Sequence, residues 1–304
     1  MLPFKIIYHA NYDLDLGPHV FPSKKFKMIH DLLIAEGIAD ETDFLQPEPA
    51  PDEDVLRVHS AAYVQKLKTD SLTLSERMKL EIPVSETTVK GFWLAAGGSI
   101  LAGCNALRDG FSANLTGGFH HAYAGHGEGF CMLHDVAIAI RSLQAAGSIR
   151  TAMVVDTDVH QGNGTASIFG DDPSVFTFSI HQENNYPLPK PASDEDVGLD
   201  DGTGDTKYLE ALEKGLLRSL EKMTPDIIFY VGGADPYRED QLGGLALTFE
   251  GLRQRDRVVF EHARRRGIPI ASTLAGGYSR RVADTVRIHV NTIVAARDAL
   301  QGLQ

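Results

Sequence analysis

Cysteine is scarce. Cys104 and Cys131 are the only two in 304 residues, so a disulfide framework is not expected and a reducing compartment fits. No apolar run approaches the roughly 20 residues needed to cross a bilayer, so no membrane span is expected. The opening Met1-Leu2-Pro3-Phe4-Lys5 lacks the charged start, apolar run and small-residue cleavage site of a secretory leader, which makes the cytoplasm the expected location. Positive charge is also short: 29 Lys and Arg stand against 41 Asp and Glu, a formal net charge of −12. Attraction to a nucleic-acid backbone is therefore weak, and no nucleic-acid partner is expected. The one basic run, Arg264-Arg265-Arg266, suits the C-terminal end of a helix stopping before Gly267, where cations meet the negative end of the dipole. No Pro-, Ser- or Gly-rich stretch, charge block or internal repeat divides the chain, so one domain over 1–304 is expected.

What is present is alternation. Short apolar runs at Lys5–Tyr8, Ala113–Leu115, Thr151–Val155, Ser174–Ser179, Asp226–Val231 and Ile268–Thr273 read as buried strands. Helical patterns lie between them. Val136–Leu143 and Leu252–Ala263 are two, and Asp205 is the expected N-cap of a third whose stripe is Leu209, Leu212, Leu216 and Leu220. Strands alternating with helices predict an α/β fold with a mostly parallel sheet covered on both faces, and ligands then bind beyond the carboxyl ends of the strands. The polar residues that stand out follow the apolar runs: His120 and His121, Asp156 to His160, Asp235, and Tyr278. Gln182 to Asp205, rich in proline and acidic residues, reads as a long loop at that rim, disordered or part of an entrance.

Asp156-Thr157-Asp158-Val159-His160-Gln161-Gly162-Asn163-Gly164 is the most informative stretch. Asp158 and His160 are two apart, so if strand geometry persists they leave on one face and can chelate one ion; a carboxylate and an imidazole suit Zn²⁺ or a similar first-row metal. Asp235, ending an apolar strand, supplies a third ligand, although an Asp before Pro236 is also an ordinary turn residue. Three protein ligands leave a position open for water, the mark of a catalytic site. Gly117-Gly118-Phe119-His120-His121 places adjacent imidazoles after a turn; both reach one cleft only if the backbone is irregular, and otherwise they are surface or core histidines. Histidine can take a proton from water and return it to a leaving amine near neutral pH. Leu274-Ala275-Gly276-Gly277-Tyr278 presents a phenol able to donate to a developing oxyanion.

In order and spacing these stretches, with Gly127-Glu128-Gly129-Phe130-Cys131 and Leu242-Gly243-Gly244-Leu245, resemble the histone deacetylase family from about Tyr8 to His289. The resemblance implies the arginase/deacetylase fold and a catalytic Zn²⁺ on Asp158, His160 and Asp235, with Fe²⁺ as the alternative ion. It implies His120 and His121 as the catalytic pair, Asp156 and Asn163 behind them, and Tyr278 as the transition-state tyrosine. Gly129 would accept the substrate amide hydrogen through its carbonyl, and Phe130 and Tyr186 would wall an acyl-lysine tunnel. Asp156 and Ser179 match residues of a structural K⁺ site completed by backbone carbonyls.

Gln161 and Asn163 stand where the larger branches carry His and Asp, which looks like the class IV version. Asn163 would then orient His121 without a negative charge, leaving His121 as general base and acid while His120, backed by Asp156, stays cationic. The expected reaction is removal of acetyl or longer acyl groups from Nε-acyl-lysine of a protein or peptide. A small-molecule deacetylase on the same fold, for acetylated polyamines or other small acylated amines, is the alternative. Leu242, apolar where acetylpolyamine-type relatives carry an acid, removes one electrostatic reason for a polycation. A dimanganese ureohydrolase needs more ligands than one Asp-x-His and one Asp, and a silent acyl-lysine binder would need a lesion that the motifs do not show. His134, like His30, His59, His262 and His289, reads as a core or supporting histidine, and Cys131 as a buried structural thiol; His9 and His19 sit in an N-terminal loop that can reach the tunnel mouth.

Overall fold

Ile227-Ile228-Phe229-Tyr230-Val231 is apolar without a break, and all five side chains have no solvent exposure. A strand covered on both faces buries such a run, and each side chain then contributes about 1.5–3 kcal/mol. The structure, a computed structural model, describes residues 1–302. This run is β7 in a single parallel sheet whose other strands are β1 (Lys5–Ile7), β2 (Phe44–Leu45), β3 (Phe111–Asn114), β4 (Ala152–Asp156), β5 (Val175–Gln182), β6 (Glu195–Leu199) and β8 (Ile270–Thr273). Their order is β2-β1-β3-β8-β7-β4-β5-β6, so β8, the last strand in sequence, lies between β3 and β7.

Ten α-helices surround it: α1 (Lys25–Ala35), α2 (Asp52–Val55), α3 (Ala61–Lys68), α4 (Leu74–Leu80), α5 (Glu86–Asp109), α6 (Asp135–Ala145), α7 (Asn163–Phe169), α8 (Asp205–Lys222), α9 (Phe249–Arg265) and α10 (Val282–Gln301) among the described residues. The pleat sorts side chains between the two layers. Met153, Val155, Ile228 and Tyr230 join the apolar stripes of α1, α8, α9 and α10 on one face. Ala152, Val154, Ile227 and Phe229 pack on the opposite face with Ala102 of α5, Val136 and Ile140 of α6 and Phe169 of α7. A third cluster gathers the N-terminal loops, the short helices and the aromatic rings Phe119 and Tyr278.

The expected strands are present with shifted ends, and β2 is additional. Two readings need correction. The Gln182–Asp205 segment is not wholly loop: β6 pairs with β5 as an edge strand, with Ile180 opposite Val197. Asp194 fastens it by accepting from the Thr177 backbone and hydroxyl at 2.8 and 2.9 Å, and the Gln161 amide donates to Pro191 O at 2.6 Å and Asp196 at 3.1 Å. The N-cap of α8 is Gly204 rather than Asp205, and Tyr208 rather than Leu209 heads the buried stripe. Asp205 instead accepts from the Thr248 backbone and hydroxyl at 2.9 and 2.7 Å, which ties α8 to the start of α9. The Arg cluster ends α9 as expected, with Gly267 at φ +68°.

Beneath the carboxyl ends of β4 and β7 lies a buried guanidinium. Arg255 of α9 is fully buried; it donates to Gly233 O at 2.5 Å and Thr157 O at 3.3 Å and pairs with Asp256 at 2.9 Å. Asp256 also accepts from Tyr230 and Thr292. One ion pair thus braces the loops after both strands. Removing one partner of a buried pair strands the other charge, so Arg255→Met is expected to cost roughly 3–5 kcal/mol. An unchanged chemical-denaturation midpoint would remove this bracing role.

Candidate active site

Irregular backbone, not continued strand, brings the polar residues together. After β3 the chain turns through Gly117 and Gly118 at φ +89° and +71°. Asp135, the first residue of α6, holds that turn by accepting from Gly118 N at 3.1 Å, Phe119 N at 2.8 Å and Ser99 at 2.5 Å. The two imidazoles that follow end side by side, ring centroids 4.0 Å apart. β4 stops at Asp156, so strand geometry does not align Asp158 with His160. A ladder of side-chain caps does: Asp158 N donates to Asp156 Oδ1 at 3.0 Å, and His160 N to Asp158 Oδ1 at 3.1 Å.

Asp235 arrives from the end of β7, and Val159 N donates to its Oδ1 at 2.9 Å. His160 Nδ1 faces Asp158 Oδ1 at 3.1 Å and Asp235 Oδ2 at 3.6 Å, and ligand atoms of all three residues lie within 4.8 Å of one another. Asp235 Oδ2 is buried without a hydrogen-bond partner. Gly276, whose amide donates to Asp158 Oδ2 at 3.0 Å, passes so close that a Cβ there would overlap Asp235. Burial and the neighbouring Asp158 push the Asp235 carboxyl up to about 7. Burial also opposes charge on His160, but Asp158 and Asp235 override it and raise the ring to about 10. A dry Asp-His-Asp group with one orphaned oxygen fits a divalent cation.

The histidine pair is asymmetric. His120 Nδ1 meets Asp156 Oδ2 at 2.6 Å, whereas His121 Nδ1 meets the neutral Asn163 Oδ1 at 2.6 Å. Burial pushes the His120 pKa down, but the carboxylates of Asp156 and Asp158 reverse this and bring it up to about 9. His121, desolvated and facing His120 and His160, is held well below the usual imidazole value. Tyr278 is buried, and burial with Asp235 and Asp158 nearby keeps its phenol protonated.

A cleft of about 460 Å³ leads inward past His19, Glu81, Phe130, Tyr186, Leu242 and Tyr278, with the buried His121 and His160 at its inner end. A recess of about 20 Å³ continues among Phe21, Gly118, Leu274 and Ala275. Gly129 and Phe130 both have left-handed φ, +53° and +69°, and a Cβ on Gly129 would crowd His121 at 2.9 Å. The Phe130 ring stands 5.9 Å from Tyr278, and Tyr186 stands 4.9 Å from His121. Asp156 and Ser179 are register partners on β4 and β5, both buried, with the Ser179 hydroxyl 2.9 Å from His181 Nδ1. His19 reaches the cleft; His9 does not, and caps a short turn through Asn11. His134 is a supporting residue: Nδ1 caps α6 at Ala137 N, and Nε2 meets Thr165 at 2.9 Å.

Sequence reasoning passed over several contributors. Asp240 accepts from Tyr278 N at 2.6 Å, Leu242 N at 2.8 Å and Gly243 N at 3.0 Å, placing both walls of the cleft. Buried Lys25 donates to Ala275 O beneath the Gly276 turn. Glu81 stands at the mouth, and Glu128 touches Asn163. Glu128 sits inside a motif already singled out, which was the available signal; nothing local in sequence marks the others.

Residues 19–293 match the histone deacetylase domain family. An uncharacterized protein of a Picosynechococcus species is 41% identical over 97% of this chain and 99% of its own. "Histone deacetylase 2" of Arabidopsis thaliana is 31% identical over 92% of this chain and 77% of its own. "Acetoin utilization protein AcuC" of Bacillus subtilis is 30% identical over 80% and 68%. Among solved structures, a histone deacetylase homologue from Aquifex aeolicus superposes with a TM-score of 0.83 at 25% identity, covering 99% of this chain and 84% of that one.

The Asp-His-Asp group yields a direct expectation. Asp158→Ala and Asp235→Ala should each lose stoichiometric Zn²⁺ in calorimetric titration while keeping the circular dichroism of the parent. Retention of full zinc affinity by both would dissolve the assignment.

Proposed function

The chain belongs to the histone deacetylase family, and from that membership we propose that it hydrolyses the amide of Nε-acyl-lysine, with Zn²⁺ held by Asp158, His160 and Asp235. The observation that carries the reading is the buried Asp-His-Asp group with its unpartnered Asp235 oxygen, opening on one cleft with His121 and Tyr278. The bound ion would supply Lewis-acid polarisation of the acyl carbonyl and a more acidic water. Fe²⁺ suits the same donors.

The remaining work falls to side chains. Asn163 Oδ1 accepts a hydrogen bond from His121 Nδ1–H, so His121 Nε2 carries the lone pair and takes a proton from water; the same nitrogen then returns that proton to the leaving amine nitrogen. His120, paired with Asp156, stays cationic and stabilises developing negative charge. The protonated Tyr278 hydroxyl donates to the carbonyl oxygen as it becomes an oxyanion. Phe130, Tyr186 and Leu242 suit an unbranched methylene stem, and the Gly129 carbonyl accepts the amide hydrogen. A structural K⁺ at Asp156 and Ser179 would offset the charge of a carboxylate whose burial raises its pKa. Gln161 and Asn163 support a place in the class IV branch, and the scarcity of cysteine supports a reducing, cytoplasmic location.

Glu81 at the mouth and the net charge of −12 favour a cationic carrier, which admits acetylated polyamines as a second reading. The 20 Å³ recess has room for about one water-sized group, which favours acetyl over longer chains. Two outcomes are expected. Tyr278→Phe should retain metal and lose about 10²–10³ in kcat, the effect of deleting one oxyanion donor; full turnover would cancel its role. Across acetyl-, octanoyl- and myristoyl-lysine peptides and acetylated polyamines, kcat/KM should be highest for acetyl-lysine, and a myristoyl preference would contradict the recess argument.

A further inference from the structure

Glu128 lies in the turn before Gly129, and both its oxygens are engaged. Oε1 accepts from Asn163 Nδ2 at 2.7 Å and from the Tyr186 hydroxyl at 2.6 Å; Oε2 meets His126 Nε2 at 3.1 Å. Its side chain is 17% exposed, and although burial opposes charge, donation from Tyr186, His126 and Asn163 keeps the carboxyl below its usual range.

A carboxylate has no hydrogen to donate. The Asn163 atom facing Glu128 must therefore be the amide nitrogen, which leaves the amide oxygen to face His121 Nδ1 at 2.6 Å. An acceptor at that point requires the hydrogen on Nδ1, and the Nε2 lone pair is then free for water. Turned by 180°, the same amide would offer hydrogens to Nδ1 and drive the proton to Nε2, where it blocks the base. An aspartate in place of Asn163 needs no such lock, because both of its oxygens accept. An asparagine does need one.

We propose that Glu128 is a positioning residue that fixes the Asn163 amide and, through it, the base-competent tautomer of His121. The inference rests on His121 serving as the general base in the proposed hydrolysis. The same carboxylate holds Tyr186, so one group sets both the tautomer and the cleft wall.

The test has two arms on zinc-loaded full-length protein. Side-chain ¹⁵N NMR reads the His121 tautomer without substrate. Parent protein should show Nδ1–H, and Glu128→Ala should shift the population toward Nε2–H while kcat/KM on an acetyl-lysine peptide falls about 10–100-fold, the range for a lost orienting partner. Glu128→Gln keeps an acceptor oxygen and should retain the parent tautomer.

The second arm crosses two substitutions. Asn163→Asp alone sets two carboxylates against each other where nitrogen and oxygen now stand 2.7 Å apart, and should lose activity. Glu128→Gln in that background supplies a donor and should restore most of it, a change of sign that simple loss of packing does not produce. This pair decides the matter if Glu128→Ala fails to fold. An unchanged His121 tautomer in Glu128→Ala, or an Asn163→Asp defect indifferent to Glu128→Gln, would overturn the proposal. Parent protein inert on every acylated amine would instead sink the hydrolase reading and leave the NMR result standing.

Discussion

Taking several carboxylates out of water in one place is the constraint on which this structure depends. Asp156, Asp158 and Asp235 are each at most 2% exposed, and an uncompensated buried charge costs several kcal/mol. Most of the surrounding groups offset that cost, and one Asp235 oxygen is left without a partner. Imidazoles face the acids, backbone amides of Asp158, Val159 and Gly276 point at their oxygens, and Arg255 braces the supporting loops from beneath. The glycine at Gly276 follows from the same need, since an amide can approach this closely only where no side chain intervenes.

The charge is divided unevenly between two neighbouring imidazoles. A carboxylate directly behind His120 and an amide directly behind His121 give adjacent rings opposite protonation preferences, although both are buried. Glu128 places the missing negative charge one hydrogen bond further away. Distance weakens its electrostatic pull on His121 while preserving its geometric control, so a ring can be oriented firmly without being made cationic.

Much of this is legible in sequence because the chemistry is written in short motifs at strand ends. Asp158, His160, Asp235, His120, His121 and Tyr278 are readable as candidates, and the all-parallel sheet follows from buried apolar runs alternating with helices. The reason first given for Asp158 and His160 sharing a face does not hold, since the strand ends two residues earlier and capping bonds replace it. β6 is hidden because Glu195-Asp196-Val197-Gly198-Leu199 has no continuous apolar run, and its place is fixed by distant partners such as Thr177. α5 carries four glycines, Gly91, Gly97, Gly98 and Gly103, which weaken its helical signal. Asp240 matters through a contact 38 residues away, a distance at which no local pattern speaks, whereas Glu128, whose contact is 35 residues away, lies inside a motif that the sequence does single out.

Sheet order carries a consequence for how the molecule is joined. β3 and β7 have no direct pairing with each other; β8, the last strand in the sequence, joins them. The portion of the sheet bearing the histidine pair and the portion bearing Asp158 and His160 are therefore hydrogen-bonded into one sheet only through this strand, while α5 and α6 pack against each other beside it. The turn that follows this strand carries the Gly276 amide and Tyr278, so the last strand in the sequence is also the one that brings the final groups to the candidate site.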